Sequence, residues 1–288
     1  MKYVSATRKK IFFISILLLS VISLGFSKTP SRIVCLAPNG AEILYALGCG
    51  NKIVARTDYC DYPAQVLGKP SLGRFDGKSF SIESILAYDP DFVYMVGGIH
   101  DTMSKSLVQF GINFYESNAT SIEAVFDEIL DIAKIMGCKE NGENLVKKMK
   151  TELELLQKKG EVFAKKSGSP KIYCEIFSSP YMSIGKNSFL NDIITDAGAK
   201  NIFDDINTSY PQVSEESIIT KNPDFIIVPY YSTLQIDAMY KRNGWESISA
   251  VKNHRIYPID ENIFSRPGPR VIEAIKILQN IIQNEGNE

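Results

Sequence analysis

The chain has 288 residues, 44% of them hydrophobic, with 32 Lys and Arg against 33 Asp and Glu. Its first acid is Glu42, so the four basic residues of the leading segment make the remainder acidic, which speaks against nucleic acid as a partner. Five cysteines (Cys35, Cys49, Cys60, Cys138 and Cys174) are odd in number and show no CxxC spacing. At most two disulfides can form, and the spacing leaves their pairing open.

Lys2, Arg8, Lys9 and Lys10 precede an apolar run from Ile11 to Phe26. A basic start before an apolar stretch interrupted by serines reads as an export signal; a spanning helix needs ~20 apolar residues. Gly25 and Ser27 supply small residues at −3 and −1, which places cleavage after Ser27. No cysteine stands at that point, so the expectation for 1–27 is a cleavable signal without a lipid anchor, and for the mature protein a periplasm. Removal leaves 288 − 27 = 261 residues and 32 − 4 = 28 basic side chains against 33 acids, a net charge of −5. That length exceeds one typical core and suggests two lobes.

Strands then alternate with helices. Arg32–Leu36 reads as a strand and Ala41–Leu47 as a helix stopped by Gly48; Ile53–Ala55 and Phe92–Val96 are further strands; Ile122–Met136 is a helix ended by Gly137. Short β-branched runs between helices predict parallel sheets in an α/β fold. Cys35 and Cys174 fall inside apolar strand-like runs and are expected as buried thiols.

A repeat crosses the chain. Residues 81–93 read SIESILAYDPDFV and residues 214–226 read SEESIITKNPDFI, a constant offset of 133 positions. Ser81, Glu83, Ser84-Ile85 and Pro90-Asp91-Phe92 recur as Ser214, Glu216, Ser217-Ile218 and Pro223-Asp224-Phe225. Each copy carries a serine cap, an acid in the first turn and a proline that stops the helix. Two related α/β lobes follow from it, over 28–140 and 167–288. Between them, 141–166 places Leu145, Met149, Leu153 and Leu156 at helical spacing among Lys and Glu, which predicts one long, stiff connecting helix and little lobe movement.

RIVCLAPNGAEILYALG at 32–48, TDYCDYP at 57–63, the two repeat copies, YPQVSEES at 210–217, AVKNHRIYPID at 250–260 and SRPGPRVIEA at 265–274 together resemble the class III periplasmic binding proteins of ABC importers. Those proteins capture cobalamin, haem or ferric siderophores. The resemblance spans essentially the whole mature chain, and TDYCDYP with YPQVSEES is most similar to the cobalamin-binding members. It implies two Rossmann-like lobes with a ligand cleft between them, a cobalamin or related corrinoid ligand (haem or a ferric siderophore as the alternative), no intrinsic cofactor, and a permease dimer in the inner membrane as partner. It further implies that Glu83 and Glu216, one per lobe, reach arginine pockets of the two permease subunits, a pairing that is strong and directional. Tyr59, Phe75 and Tyr210 match cleft aromatics, and Arg266 a cleft arginine; Asn262 stands where some cobalamin binders carry an acid.

The two histidines are read separately. His100 falls at the carboxyl end of the third strand and is a candidate ligand contact, with iron ligation open only if the ligand is haem. His254 reads as a turn residue. Two isolated histidines argue against a receptor for free zinc or manganese. Enzyme readings fail at the motif level: Gly77-Lys78-Ser79 has Leu72 where a phosphate loop needs glycine, and Asp58 and Asp61 have no metal or acid-raising partner in the sequence. The chain is therefore expected not to be an enzyme.

Overall fold

A computed structural model of the chain describes residues 29–76, 78–229 and 233–284. The expected export signal lies outside these residues. The first lobe runs β1 (Ile33–Cys35), α1 (Pro38–Ala46), β2 (Ile53–Arg56), α2 (Ile82–Leu86), β3 (Phe92–Val96), α3 (Asp101–Gln109), β4 (Asn113–Ser117) and α4 (Ile122–Ile135). A 29-residue helix, α5 (Lys139–Ser167), leads into the second lobe. That lobe holds β5 (Lys171–Cys174), a small hairpin of β6 (Phe177–Ser178) and β7 (Tyr181–Met182), α6 (Phe189–Asp196), β8 (Lys200–Asn201) and α7 (Glu215–Lys221). It ends with β9 (Phe225–Val228), α8 (Thr233–Met239), α9 (Ser249–Lys252), β10 (Ile256–Pro258), α10 (Glu261–Phe264) and α11 (Val271–Asn284).

Two four-stranded parallel sheets result, ordered β2-β1-β3-β4 and β8-β5-β9-β10. Counted within each lobe both are 2-1-3-4, so the internal repeat is a repeat of topology. Its residues do the same work twice. Ser81 and Ser214 accept from the backbone N–H of Ser84 and Ser217 at 3.4 and 3.1 Å. Ser84 and Ser217 each return a hydroxyl bond of 2.7 Å to the cap carbonyl. Asp89 and Asn222, again 133 apart, both take the left-handed conformation at φ 46°, which short polar side chains tolerate. Asp91 then accepts from the backbone N–H of Ser31 and Arg32, and Asp224 from that of Lys171, pinning each lobe's third strand beside its first.

The lobes share one apolar core. It passes from Ile33, Ile43 and Val125 through Val146, Met149 and Leu156 of α5 to Ile172, Ile193 and Ile275. Leu145 and Leu153 pack against it from the side. Two glycines bring α5 close to both halves. A Cβ on Gly142 would meet the Ala133 Cβ of α4 at 2.4 Å, and one on Gly160 would meet the Asp196 carbonyl at the end of α6 at 2.7 Å. Eighteen residues are five whole turns at about 3.6 residues each, so both glycines lie on one face of the helix.

Candidate functional site

In an open parallel sheet of order 2-1-3-4, a crevice opens at the carboxyl ends of the first and third strands, where successive crossovers diverge. Segments that follow strand carboxyl ends in the two lobes meet across the seam. Arg266, beyond β10, reaches Asp61, beyond β2, at 2.6 Å and Glu42 of α1 at 3.3 Å. Arg270 grips the same Glu42 with two bonds of 2.9 and 2.6 Å and stacks over the Tyr62 ring at 4.1 Å. Asn262 accepts a short hydrogen bond from Arg266. Glu42 is buried, and two guanidinium groups replace its lost water.

The first lobe presents an aromatic row. Tyr59 and Phe75 lie 6.1 Å apart between ring centroids, and the edge of Phe75 meets His100 at 5.3 Å. Tyr59 is 44% exposed, whereas His100 is fully buried beneath Phe75 and Phe80. His100 Nδ1 accepts from the Val96 backbone N–H at 3.1 Å, so the neutral ring carries its proton on Nε2. Burial holds the imidazole below its ordinary pKa and keeps it neutral. Nε2 has no hydrogen-bond partner and, being protonated, no lone pair to offer a metal.

The second lobe sets Tyr210 (43% exposed) at a cavity of about 330 Å³ lined by Ile176, Met182, Leu190 and Ser265. Its segment is held against the hairpin: Ser183 donates to the Pro211 carbonyl and Val213 to the Tyr181 carbonyl, both at 3.0 Å. Beneath lies a cluster that motif reading passed over. Glu175, fully buried just past β5, takes a bidentate pair from Arg242 at 2.7 and 2.8 Å. The guanidinium stacks on Trp245 at 4.4 Å, and Trp245 Nε1 donates to Glu215 at 2.8 Å. The single tryptophan of the chain was the available signal, since a buried indole needs an acceptor.

That bond separates the two adjacent glutamates of α7. Glu215 is consumed by Trp245 and by the Tyr181 hydroxyl at 3.1 Å, while Glu216 points outward. Glu83 occupies the equivalent exposed place on α2, its carboxyl held below the ordinary range by the Ser81 hydroxyl. Tyr59, Phe75 and His100 are thus brought together on one lobe, Tyr210 sits on the other, Arg266 lies in the seam already paired, and the two outward glutamates stand at equivalent helix starts. His254 is a left-handed turn residue at φ 55°. Glu42, Arg270 and Glu128 were given no site role in the sequence. Glu128 lies buried on α4, receives the hydroxyls of Tyr94 and Ser117, and is pushed by desolvation up to about 7.

Two lobes with parallel sheets, bridged by one long helix and meeting at strand carboxyl ends, define a helical-backbone solute-binding protein. The chain belongs to the periplasmic binding protein family, whose pattern it matches over residues 33–263. It is 32% identical over 260 residues to an uncharacterized ABC transporter substrate-binding lipoprotein, YvrC, of Bacillus subtilis, covering 88% of this chain and 81% of that one. It is 28% identical over 265 residues to a vitamin B12-binding protein of Vibrio vulnificus, covering 91% and 93%. A solved structure from Staphylococcus epidermidis, described as a possible iron-binding (periplasmic solute-binding) protein, superposes with a TM-score of 0.78 at 31% identity, covering 88% of this chain and 99% of that one. The chain is therefore a substrate-binding protein of the ABC-transporter type, a class that is exported and that works with a permease and a small-molecule solute.

Proposed function

We propose that the protein captures cobalamin or a related corrinoid between its lobes and delivers it to the two-subunit permease of an inner-membrane importer. The observation that carries this reading is the pair of exposed aromatics, Tyr59 beside the half-buried Phe75 on one lobe and Tyr210 on the other, at loops that follow strand carboxyl ends. Such faces suit a flat macrocycle, whose polar rim then needs only a few hydrogen-bonding tips. The vitamin B12-binding relative supports the same ligand. Arg266 is held by Asp61, Glu42 and Asn262, so in this reading it shapes the seam and meets ligand only at its edge. Glu83 and Glu216 serve as the docking acids, one for each permease subunit. In this reading the protein works in the periplasm after cleavage at Ser27.

A ferric chelate is the second reading, favoured by the similarity to the possible iron-binding protein of Staphylococcus epidermidis. Haem ligated through His100 is disfavoured by the proton on the buried Nε2. Titration of the purified protein with cyanocobalamin, followed by calorimetry, tests the proposal. One-to-one binding that weakens at least tenfold in Tyr59→Ala and Tyr210→Ala is expected. Saturable binding of haem with a Soret shift, and none of cobalamin, would overturn it.

A further inference from the structure

We propose that Cys49 and Cys138 form a disulfide in the exported protein, fastening the first lobe to the start of the inter-lobe helix. Their Sγ atoms lie 3.7 Å apart, in van der Waals contact, across 89 positions of sequence. Nothing about this closeness is left to mobile loops. α1 ends at Gly48 (φ 78°), with Gly48 donating to the Tyr45 carbonyl and Cys49 to that of Leu44, at 3.0 and 2.7 Å. α4 ends identically at Gly137 (φ 69°), with Gly137 donating to the Lys134 carbonyl and Cys138 to that of Ala133, at 3.2 and 2.9 Å. Both cysteines thus hold the second position past a helix end in the same glycine-centred cap, which fixes their backbones. Asn141, in the first turn of α5, donates to the Leu47 carbonyl at 3.0 Å and ties the two caps together. The caps work without sulfur, because α6 ends the same way at Gly198 and there Ala199 takes the place of cysteine.

The other three thiols are poor competitors. The Cys35 and Cys60 thiols also neighbour each other, but they and Cys174 are fully buried out of reach of an oxidant, and Cys60 is engaged by the Thr57 hydroxyl and the Cys35 carbonyl. Only Cys138 is partly open to solvent, so it meets the oxidant first. A small disulfide such as oxidised glutathione, or the disulfide form of a periplasmic dithiol oxidase, suffices. The Cys138 thiolate attacks one oxidant sulfur and expels a thiolate; the Cys49 thiolate then attacks Sγ of Cys138 and expels the second. The protein loses two protons and two electrons, and the oxidant leaves as two thiols. Bond formation brings the two sulfurs from 3.7 Å to the ~2.05 Å of an S–S bond. The product fixes the entry of α5 to the end of α1.

The full chain, reduced and then exposed to oxidised glutathione, provides the test. Of five cysteines, 5 − 2 = 3 should remain reactive to a maleimide after denaturation, and a peptide map should link Cys49 to Cys138. The thermal midpoint should rise on the order of 10 °C, as closing a loop of this length predicts, and fall again with dithiothreitol. Cys49→Ser and Cys138→Ser should fold like the reduced parent and show no such rise. Five reactive thiols after oxidation, a linkage through Cys35, Cys60 or Cys174, or a bridge that leaves the midpoint unmoved would overturn the proposal.

Discussion

Replacing Gly160 with alanine separates helix propensity from packing. In a solvated helix interior the change gains about 1 kcal/mol. Here the new Cβ would stand 2.7 Å from the Asp196 carbonyl oxygen and 2.9 Å from the Gly198 nitrogen. Both obstacles are backbone, so no side-chain rotation relieves them. Restoring an ordinary 3.4 Å contact moves α5 away from α6 by 3.4 − 2.7 = 0.7 Å. That shift strains the bond from Gln157 to the Asp196 carboxylate (2.9 Å) and pulls apart the two carbonyls, Leu156 of α5 (2.6 Å) and Asp196 of α6 (3.4 Å), that the Gln279 amide bridges. Overpacking of this kind costs about 1–3 kcal/mol, which outweighs the propensity gain. Subtracting the gain leaves a net loss of up to about 2 kcal/mol and centred near 1, or about 3 °C in thermal midpoint for a chain of this size. Urea unfolding and calorimetry read it directly, with the exposed Lys159→Ala as a near-neutral control. Gly142→Ala should behave alike, and since ~27 Å of helix separates the two, their effects should add. A Gly160→Ala protein stabilised by ~1 kcal/mol would refute the close docking of α5.

The remaining expectations concern charge. Glu128 titrates near 7 in the folded protein, above its ordinary 4.5, because burial disfavours the carboxylate. Its contribution is therefore complete below pH 4.5 and is lost as pH rises through 7. Relative to Glu128→Gln, which stays neutral, the parent should weaken by about 3 kcal/mol across that window; a pH-independent difference in urea midpoints would contradict this. Arg266→Ala leaves Asp61 unpaired and Glu42 half-paired at the seam, so a stability loss of about 3 kcal/mol is expected, read by chemical unfolding at neutral pH. Glu83→Ala combined with Glu216→Ala should spare solute affinity yet abolish association with the permease in a pull-down. Loss of solute binding in that pair would count against the docking role.

Much of the fold is legible in residues that punctuate the chain. Gly48 and Gly137 stop two helices where the sequence places the stops, because only glycine adopts the left-handed cap cheaply. The Ser–x–x–Ser and Pro–Asp–Phe pairs reveal the two lobes, since each residue answers a backbone demand that recurs. β4 was not legible: Asn113–Ser117 reads NFYES, with only Ser117 fully buried, and pairing with β3 rather than any apolar pattern makes it a strand. The 2-residue β8 is also set by its neighbours. At the site, aromatic candidates stand out by type and position. The seam does not, because Glu42 with Arg266 and Arg270 lie 224 and 228 positions apart and only the folded chain pairs them. Asp61 has the same history: without a partner in the sequence, it acquires Arg266 across the cleft.

If the two lobes hold a bulky metal chelate between their aromatics for transfer to a permease, isothermal calorimetry against cobalamin, cobinamide, haem and ferric siderophores in parallel will show it. Cobalamin or cobinamide should bind one-to-one at submicromolar concentration and displace each other, with haem and siderophores far weaker. No heat from any of the four, under conditions where the protein unfolds cooperatively, would contradict the account.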